Sequence, residues 1–159
     1  MTHLTQLTEK APFDDRHASG VSIERILETR VREYLADLES GLLKERDARE
    51  IFRRMFLTAR VNGHEVPRNV ALLFFSADPE EWFRGARIEV VQFADTSGNV
   101  LTERVFRGPL QQQLRDALTH LEGLVTRYVQ KLDDRFEART WVSYPVRAVR
   151  ECLVNAVYH

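Results

Sequence analysis

The first third of the chain carries apolar side chains at helical spacing. Ser22 precedes the pattern as an N-cap and Gly41 follows it as a C-cap glycine, which predicts a helix between them. The apolar positions of this helix are Ile23, Ile26, Leu27, Val31, Tyr34, Leu35 and Leu38. A second predicted helix begins at Asp47 and directs four apolar residues inward, namely Ile51, Phe52, Met55 and Phe56.

Turn signals then divide the chain into shorter segments. Asn62-Gly63 predicts a turn, and Pro67 suits the first position of a helix. The apolar run 70–75 fits either a buried strand or a buried helical turn. A short helical turn is expected over 79–83.

The period of the pattern changes to two from residue 87 onward. Alternation over 87–93, a turn at 97–99 and a second alternating run over 102–107 predict a β-hairpin. Gly108-Pro109 ends the hairpin and opens a long helix. The buried face of that helix is expected to hold Leu110, Leu114, Ala117, Leu118, Leu121, Leu124, Val125, Tyr128 and Leu132.

The last segments complete the predicted fold class. Residues 135–142 alternate loosely and predict a third strand, and Pro145 starts a final helix. The expected fold is α+β, predominantly helical, with a small antiparallel sheet of two or three strands.

Composition narrows the class of protein. The chain has 159 residues, of which 43% are hydrophobic and 30% charged, so it can form a core and is not of a disordered type. The 23 basic residues nearly balance the 24 acidic ones, which gives no strongly basic nucleic-acid footprint overall. No apolar run reaches the ~20 residues that span a bilayer. We expect no membrane association and a cytoplasmic location.

Polar chemistry concentrates on the final helix. Glu151 and Asn155 lie four residues apart and share one helical face. A carboxamide oxygen is a suitable Mg²⁺ ligand, and a carboxylate can activate water for attack on a phosphate. The alternative is a solvated face on which Glu151 pairs with Arg147. A separate apolar stripe comprises Val146, Val149, Leu153 and Val157.

Residues 144–159 read Tyr-Pro-Val-Arg-Ala-Val-Arg-Glu-Cys-Leu-Val-Asn-Ala-Val-Tyr-His. This segment closely resembles the start of the ATPase domain in a family of bacterial transcriptional regulators, also named RecG-like ATP-dependent DNA helicases. Family members carry an AlbA-type (Schlafen-like) domain, a connecting region and a GHKL-type ATPase domain. Further similar segments occur in the family's order, namely 12–16, 69–79, 85–93 and 107–114.

The resemblance implies a domain organisation and a site. Residues 1–20 would be a linker, 21–144 a connecting domain, and 145–159 the first helix of an ATPase domain that continues in a longer parent. In that parent, Glu151 would be the catalytic residue, Asn155 would bind Mg²⁺ and ATP, and His159 would contact the nucleotide. DNA would be bound by flanking domains.

The chain departs from the family pattern in its later motifs. The expected Arg-Asp-Tyr after the final helix and the Asp-x-Gly-x-Gly box do not occur in it, and neither does a Walker loop. We therefore expect this segment alone to be non-catalytic and not to bind ATP tightly.

Two other functions fit the sequence. One is a protein-interaction module, such as a homodimer built on the final helix, with no nucleotide role. The other is direct nucleic-acid binding through the arginines of residues 46–60, which are interleaved with acidic residues. Cys152 is expected to be a small core residue.

Overall fold

The computed structural model describes residues 11–93, 98, 100–125, 127–131 and 138–158. The α-helices in these ranges are α1 (Glu28–Asp37), α2 (Ala48–Arg54), α3 (Asn69–Phe75), α4 (Leu110–Leu124) and α5 (Val146–Tyr158). The strands are β1 (Thr58–Val61), β2 (His64–Pro67), β3 (Ile88–Phe93), β4 (Val100–Phe106), β5 (Arg127–Lys131) and β6 (Ala138–Val142). Single 3₁₀ turns cover Ile23–Arg25, Gly41–Lys44 and Pro79–Glu81.

The predicted α+β class is confirmed. The described strands pair in sequence order as three antiparallel hairpins, β1–β2, β3–β4 and β5–β6, each a two-stranded sheet. The chain divides into two compact units. One comprises the chain up to Ala86 with Gly108–Leu110, and the other comprises Arg87–Arg107 with the chain from Gln111 onward.

The first unit is built on three short helices that share one apolar cluster. Val31 and Leu35 enter it from α1, one helical turn apart, and Ala71 and Phe75 enter from α3 in the same way. The ambiguous run 70–75 is therefore a helix, with Ala71 and Leu72 fully buried. The remaining members of the apolar cluster lie in or just after the first 3₁₀ turn, on α2 and just before β1. They are Ile23, Ile26, Ile51, Phe52 and Leu57.

Residues 11–20 contact α3 by hydrogen bonds. The backbone N–H of Asn69 donates to the carbonyl of Arg16, and its side-chain amide donates to the carbonyl of Phe13, both at 2.8 Å. Because Asn69 is buried, these bonds satisfy polar groups that water does not reach. Arg68 also donates to the Asp15 carboxylate at 3.1 Å.

Three features of the two helices predicted in this unit differ from expectation. Ser22 caps only the 3₁₀ turn Ile23–Arg25, and α1 begins at Glu28. Gly41 is not a C-cap, because α1 ends at Asp37 and Glu39 takes the left-handed conformation with a φ of 51°. The prediction that Phe56 points inward is also wrong. Its φ is 56° and its side chain is 73% exposed, so the chain turns there and Leu57 enters the core instead.

A β-hairpin occupies the turn predicted at Asn62-Gly63. Both turn residues have positive φ, 49° and 83°, as tight antiparallel hairpins require. Pro67 ends β2 opposite Thr58 and does not begin a helix, so that prediction is wrong. Its missing N–H is tolerated at a strand end, and its carbonyl accepts from Ala18 N–H at 2.9 Å.

The second unit packs two helices on the predicted hairpin. Ile88 and Phe106 are cross-strand partners and form a buried cluster with Ala117 of α4. Leu153 and Val157 of α5 pack against this cluster and are half-buried. Helix α5 is thus held by two residues of the stripe predicted from the sequence.

The predicted extension of α4 to Leu132 is wrong. The helix ends at Leu124, shortly after Gly123, and Tyr128 lies in strand β5. Five residues of β5 pair with β6 from Arg127↔Val142 to Lys131↔Ala138, and this pairing replaces helical hydrogen bonds. The third predicted strand is present as β6, whereas Leu132 lies outside the described residues.

Candidate functional site

The last helix presents two chemically different faces. Each residue of an α-helix turns by about 100°, so Glu151 and Leu153 are separated by about 160° around the axis of α5. The same separation applies to Asn155 and Val157. Because Leu153 and Val157 pack on the core cluster, the polar pair lies on the outward side, and both its side chains are exposed.

Neither polar side chain is neutralised by a neighbour. Within the described part of the chain, the side chains of Glu151 and Asn155 have no hydrogen bond or ion pair, and none joins Glu151 to Arg147. The neighbouring Arg150 instead reaches Glu122 of α4, with its Nη2 3.4 Å from a carboxylate oxygen. The pair therefore keeps its full capacity to bind a cation or orient water.

An apolar groove adjoins this polar pair. It has a volume of about 410 Å³ and runs between Leu121 of α4 and the start of α5. Ala148 and Cys152 line it, and on α5 both positions lie next to the face that carries Asn155. Cys152 is exposed, so the expectation that it is a core residue is wrong; Leu153 takes the core position instead.

The remaining predicted contact residue cannot be placed. His159 lies outside the described residues. Among the residues that are described, no group of three or more His, Cys, Asp or Glu side chains is arranged to hold a metal ion. Asn155 and Glu151 can supply part of a metal-nucleotide site.

Two of the arginines of residues 46–60, Arg49 and Arg53, are paired with carboxylates. Arg53 donates through Nε and Nη2 to both carboxylate oxygens of Glu65 and through Nη1 to Glu50. The hydrogen bond from Arg53 is the main cause that lowers the pKa of Glu65 and raises that of Arg53. Arg49 lies 3.5 Å from a carboxylate oxygen of Glu24.

Sequence reasoning missed the groove and the pairing of Arg53 with Glu65. The Asn62-Gly63 turn between two short alternating runs is the signal that could have revealed the hairpin carrying Glu65. The groove had a weaker signal, the small residues Ala148 and Cys152 one helical turn apart.

The chain matches no protein-family model, no curated protein and no solved structure in comparisons with known proteins. The family suggested by the motifs accordingly stays a prediction. In the part of the chain that the structure describes, no helix has the length and apolar character required to cross a membrane.

Proposed function

We propose that this chain is the connecting region and first ATPase helix of an ATP-binding, DNA-associated bacterial regulator. The observation that carries the proposal is the arrangement of α5. One face anchors the helix through Leu153 and Val157. On the other face, the side chains of Glu151 and Asn155 are exposed and make no hydrogen bond or ion pair with any described residue. The resemblance of residues 144–159 to the ATPase helix of the family supports the same assignment.

The proposed roles follow from the chemistry of the two side chains. Asn155 holds Mg²⁺ through its carboxamide oxygen, a hard ligand suited to a hard cation. Glu151 accepts a proton from the water that attacks the terminal phosphate. When bound, Mg²⁺ would neutralise charge on the phosphate oxygens. The segments that enclose the nucleotide belong to a longer parent in this proposal.

The placement of α5 also suggests how nucleotide binding is transmitted. Pro145 directly precedes the helix, and two residues separate it from the end of β6. Leu153 and Val157 contact the cluster of Ile88, Phe106 and Ala117. A nucleotide that prefers one position of α5 would shift the population of arrangements in the second unit. DNA binding itself is assigned to flanking domains of the parent.

The test is calorimetric titration of Mg-ATP into a protein extended beyond residue 159 through the ATPase domain. Asn155→Ala should abolish binding, while Glu151→Ala should keep binding and lose turnover. Arg147→Ala is the matched control, because Arg147 is an exposed residue of the same helix and has no ion pair with any residue that the structure describes. Absence of binding to a folded extended protein would refute the nucleotide role.

A second candidate function is an interaction module, for example a homodimer. Exposed apolar side chains on α5 favour it, since Val146 and Val154 are 37% and 42% exposed. Sedimentation over a range of concentrations tests this function. A dimer that Val154→Arg dissociates would support it, and a monomer at all concentrations would exclude the homodimer.

A further inference from the structure

The first unit contains a polar depression, whereas α5 belongs to the second unit. It is formed by the 3₁₀ turn at Ile23, helix α2 and the β1–β2 hairpin, and has a volume of about 910 Å³. Its lining contains three arginines and a histidine together with two glutamates, namely Arg49, Arg53, Arg60, His64, Glu24 and Glu65.

One wall of the depression is fixed by ion pairs. Arg53 and Glu65 form a two-pronged ion pair, and Glu50 accepts a further bond from Arg53. A bidentate pair of this kind fixes the orientation of both planar groups. The pair therefore contributes shape and leaves the net charge of the lining to its other members.

Arg60 provides the charge that is not neutralised. It lies opposite Glu65 in the hairpin register, but Glu65 is held by Arg53. In the described part of the chain the Arg60 side chain has no ion pair or hydrogen bond. Arg49, which lines the same depression, makes one long contact with Glu24, and these side chains are 57% and 69% exposed. Such an exposed pair is weak and yields readily to a better acceptor.

We infer that this depression binds the phosphoryl group of a small phosphorylated ligand between Arg60 and Arg49. The planar guanidinium matches phosphate oxygens with two parallel N–H donors, and two arginines from different elements can hold one group from both sides. His64 lines the same space and adds a donor.

The surroundings favour a small ligand over a nucleic-acid strand. Glu24 and Glu50 pair with Arg49 and Arg53, so few lining arginines are left to neutralise the successive phosphates of an extended polyanion. Among the described residues that line the depression, none is Phe, Tyr or Trp. Single-strand binding sites normally use such side chains to stack bases.

The test is a titration of the 159-residue chain with inorganic phosphate, followed by NMR of the arginine side-chain N–H groups. We expect saturable shifts at Arg60 and Arg49, and roughly tenfold weaker binding in Arg60→Gln, since one charge-assisted contact is lost. Arg49→Gln should also weaken binding. Arg54→Gln is the matched control, because Arg54 is exposed on α2 but outside the depression, and it should bind as the unmodified chain does.

Three results would overturn the inference. The first is NMR shifts that do not saturate with phosphate. The second is an equal loss of phosphate affinity in Arg54→Gln and Arg60→Gln. The third is tighter binding of a single-stranded oligonucleotide than of phosphate, weakened alike by all three arginine substitutions. The last result would instead indicate a nucleic-acid surface. Circular dichroism of each variant establishes that it is folded. None of these results bears on ATP binding at α5, because the residues that line the depression and the proposed nucleotide-binding residues of α5 do not overlap.

Discussion

The two faces of α5 should respond oppositely to alanine substitution. Leu153 packs on the cluster of Ile88, Phe106 and Ala117 but is only half-buried. Full burial of a leucine side chain contributes about 1.5–3 kcal/mol, so half of this plus a small cavity term gives a loss of about 1–2 kcal/mol for Leu153→Ala. The Asn155 side chain makes no hydrogen bond with any residue that the structure describes, and asparagine is a poor helix former. Asn155→Ala should therefore raise the free energy of unfolding by up to about 0.5 kcal/mol.

Guanidinium denaturation followed by far-ultraviolet circular dichroism measures both changes. The denaturant dependence of the free energy of unfolding should be the same in both variants, so that the midpoints report stability directly. A loss above about 1 kcal/mol in Asn155→Ala would mean that Asn155 has a structural role, against the assignment of its face. A loss below about 0.5 kcal/mol in Leu153→Ala would show that α5 is not anchored as described.

Three further predictions concern the first unit, each measured by the melting temperature or the free energy of unfolding. Ile51→Ala should cost about 2–5 kcal/mol because Ile51 is fully buried, whereas Arg54→Ala should have little effect; similar losses in both would refute the position of the core. Gly63→Ala should cost about 1–2 kcal/mol, because its φ is 83° although no atom lies within 4 Å of an added Cβ; an unchanged melting temperature would contradict this. Glu65→Gln should lower the free energy of unfolding at pH 7. The difference between this variant and the unmodified chain should shrink as the pH falls below about 4.3. The sign follows because Arg53 lowers the pKa of Glu65 in the folded protein, so the stabilisation is present above the unfolded pKa and lost as the carboxylate is protonated. The same difference at pH 3 and pH 7 would contradict it.

Elements with strong local signals could be predicted from the sequence. Asp47 caps α2, accepting from the N–H of Arg49, as expected from its side chain. Alternation over 87–93 correctly predicted β3, because one face of a half-buried hairpin must be apolar. Pro145 correctly indicated the start of α5, whose first helical residue is Val146.

Features that depend on distant partners could not be predicted in the same way. Tyr128 continues the helical spacing of α4, yet pairing between β5 and β6 decides the conformation there. The run 70–75 is locally ambiguous, and burial against α1 makes it a helix. Packing thus overrides spacing where the apolar pattern fits more than one element.

The candidate site shows the same division between local and distant information. The shared face of Glu151 and Asn155 follows from their spacing of four. That this face points away from the core depends on the contacts of Leu153 and Val157 with the second unit's cluster. The ion pairing of Arg53 likewise depends on Glu65, twelve residues away in the sequence.

The central claim is that α5 presents Glu151 and Asn155 to a metal-bound nucleotide. Its most direct measurement is the dissociation constant of Mg-ATP for the extended protein and its Asn155→Ala and Arg147→Ala variants. The account predicts saturable binding that Asn155→Ala removes and Arg147→Ala preserves. Equal affinity in all three proteins, or no binding to the folded extended protein, would contradict it.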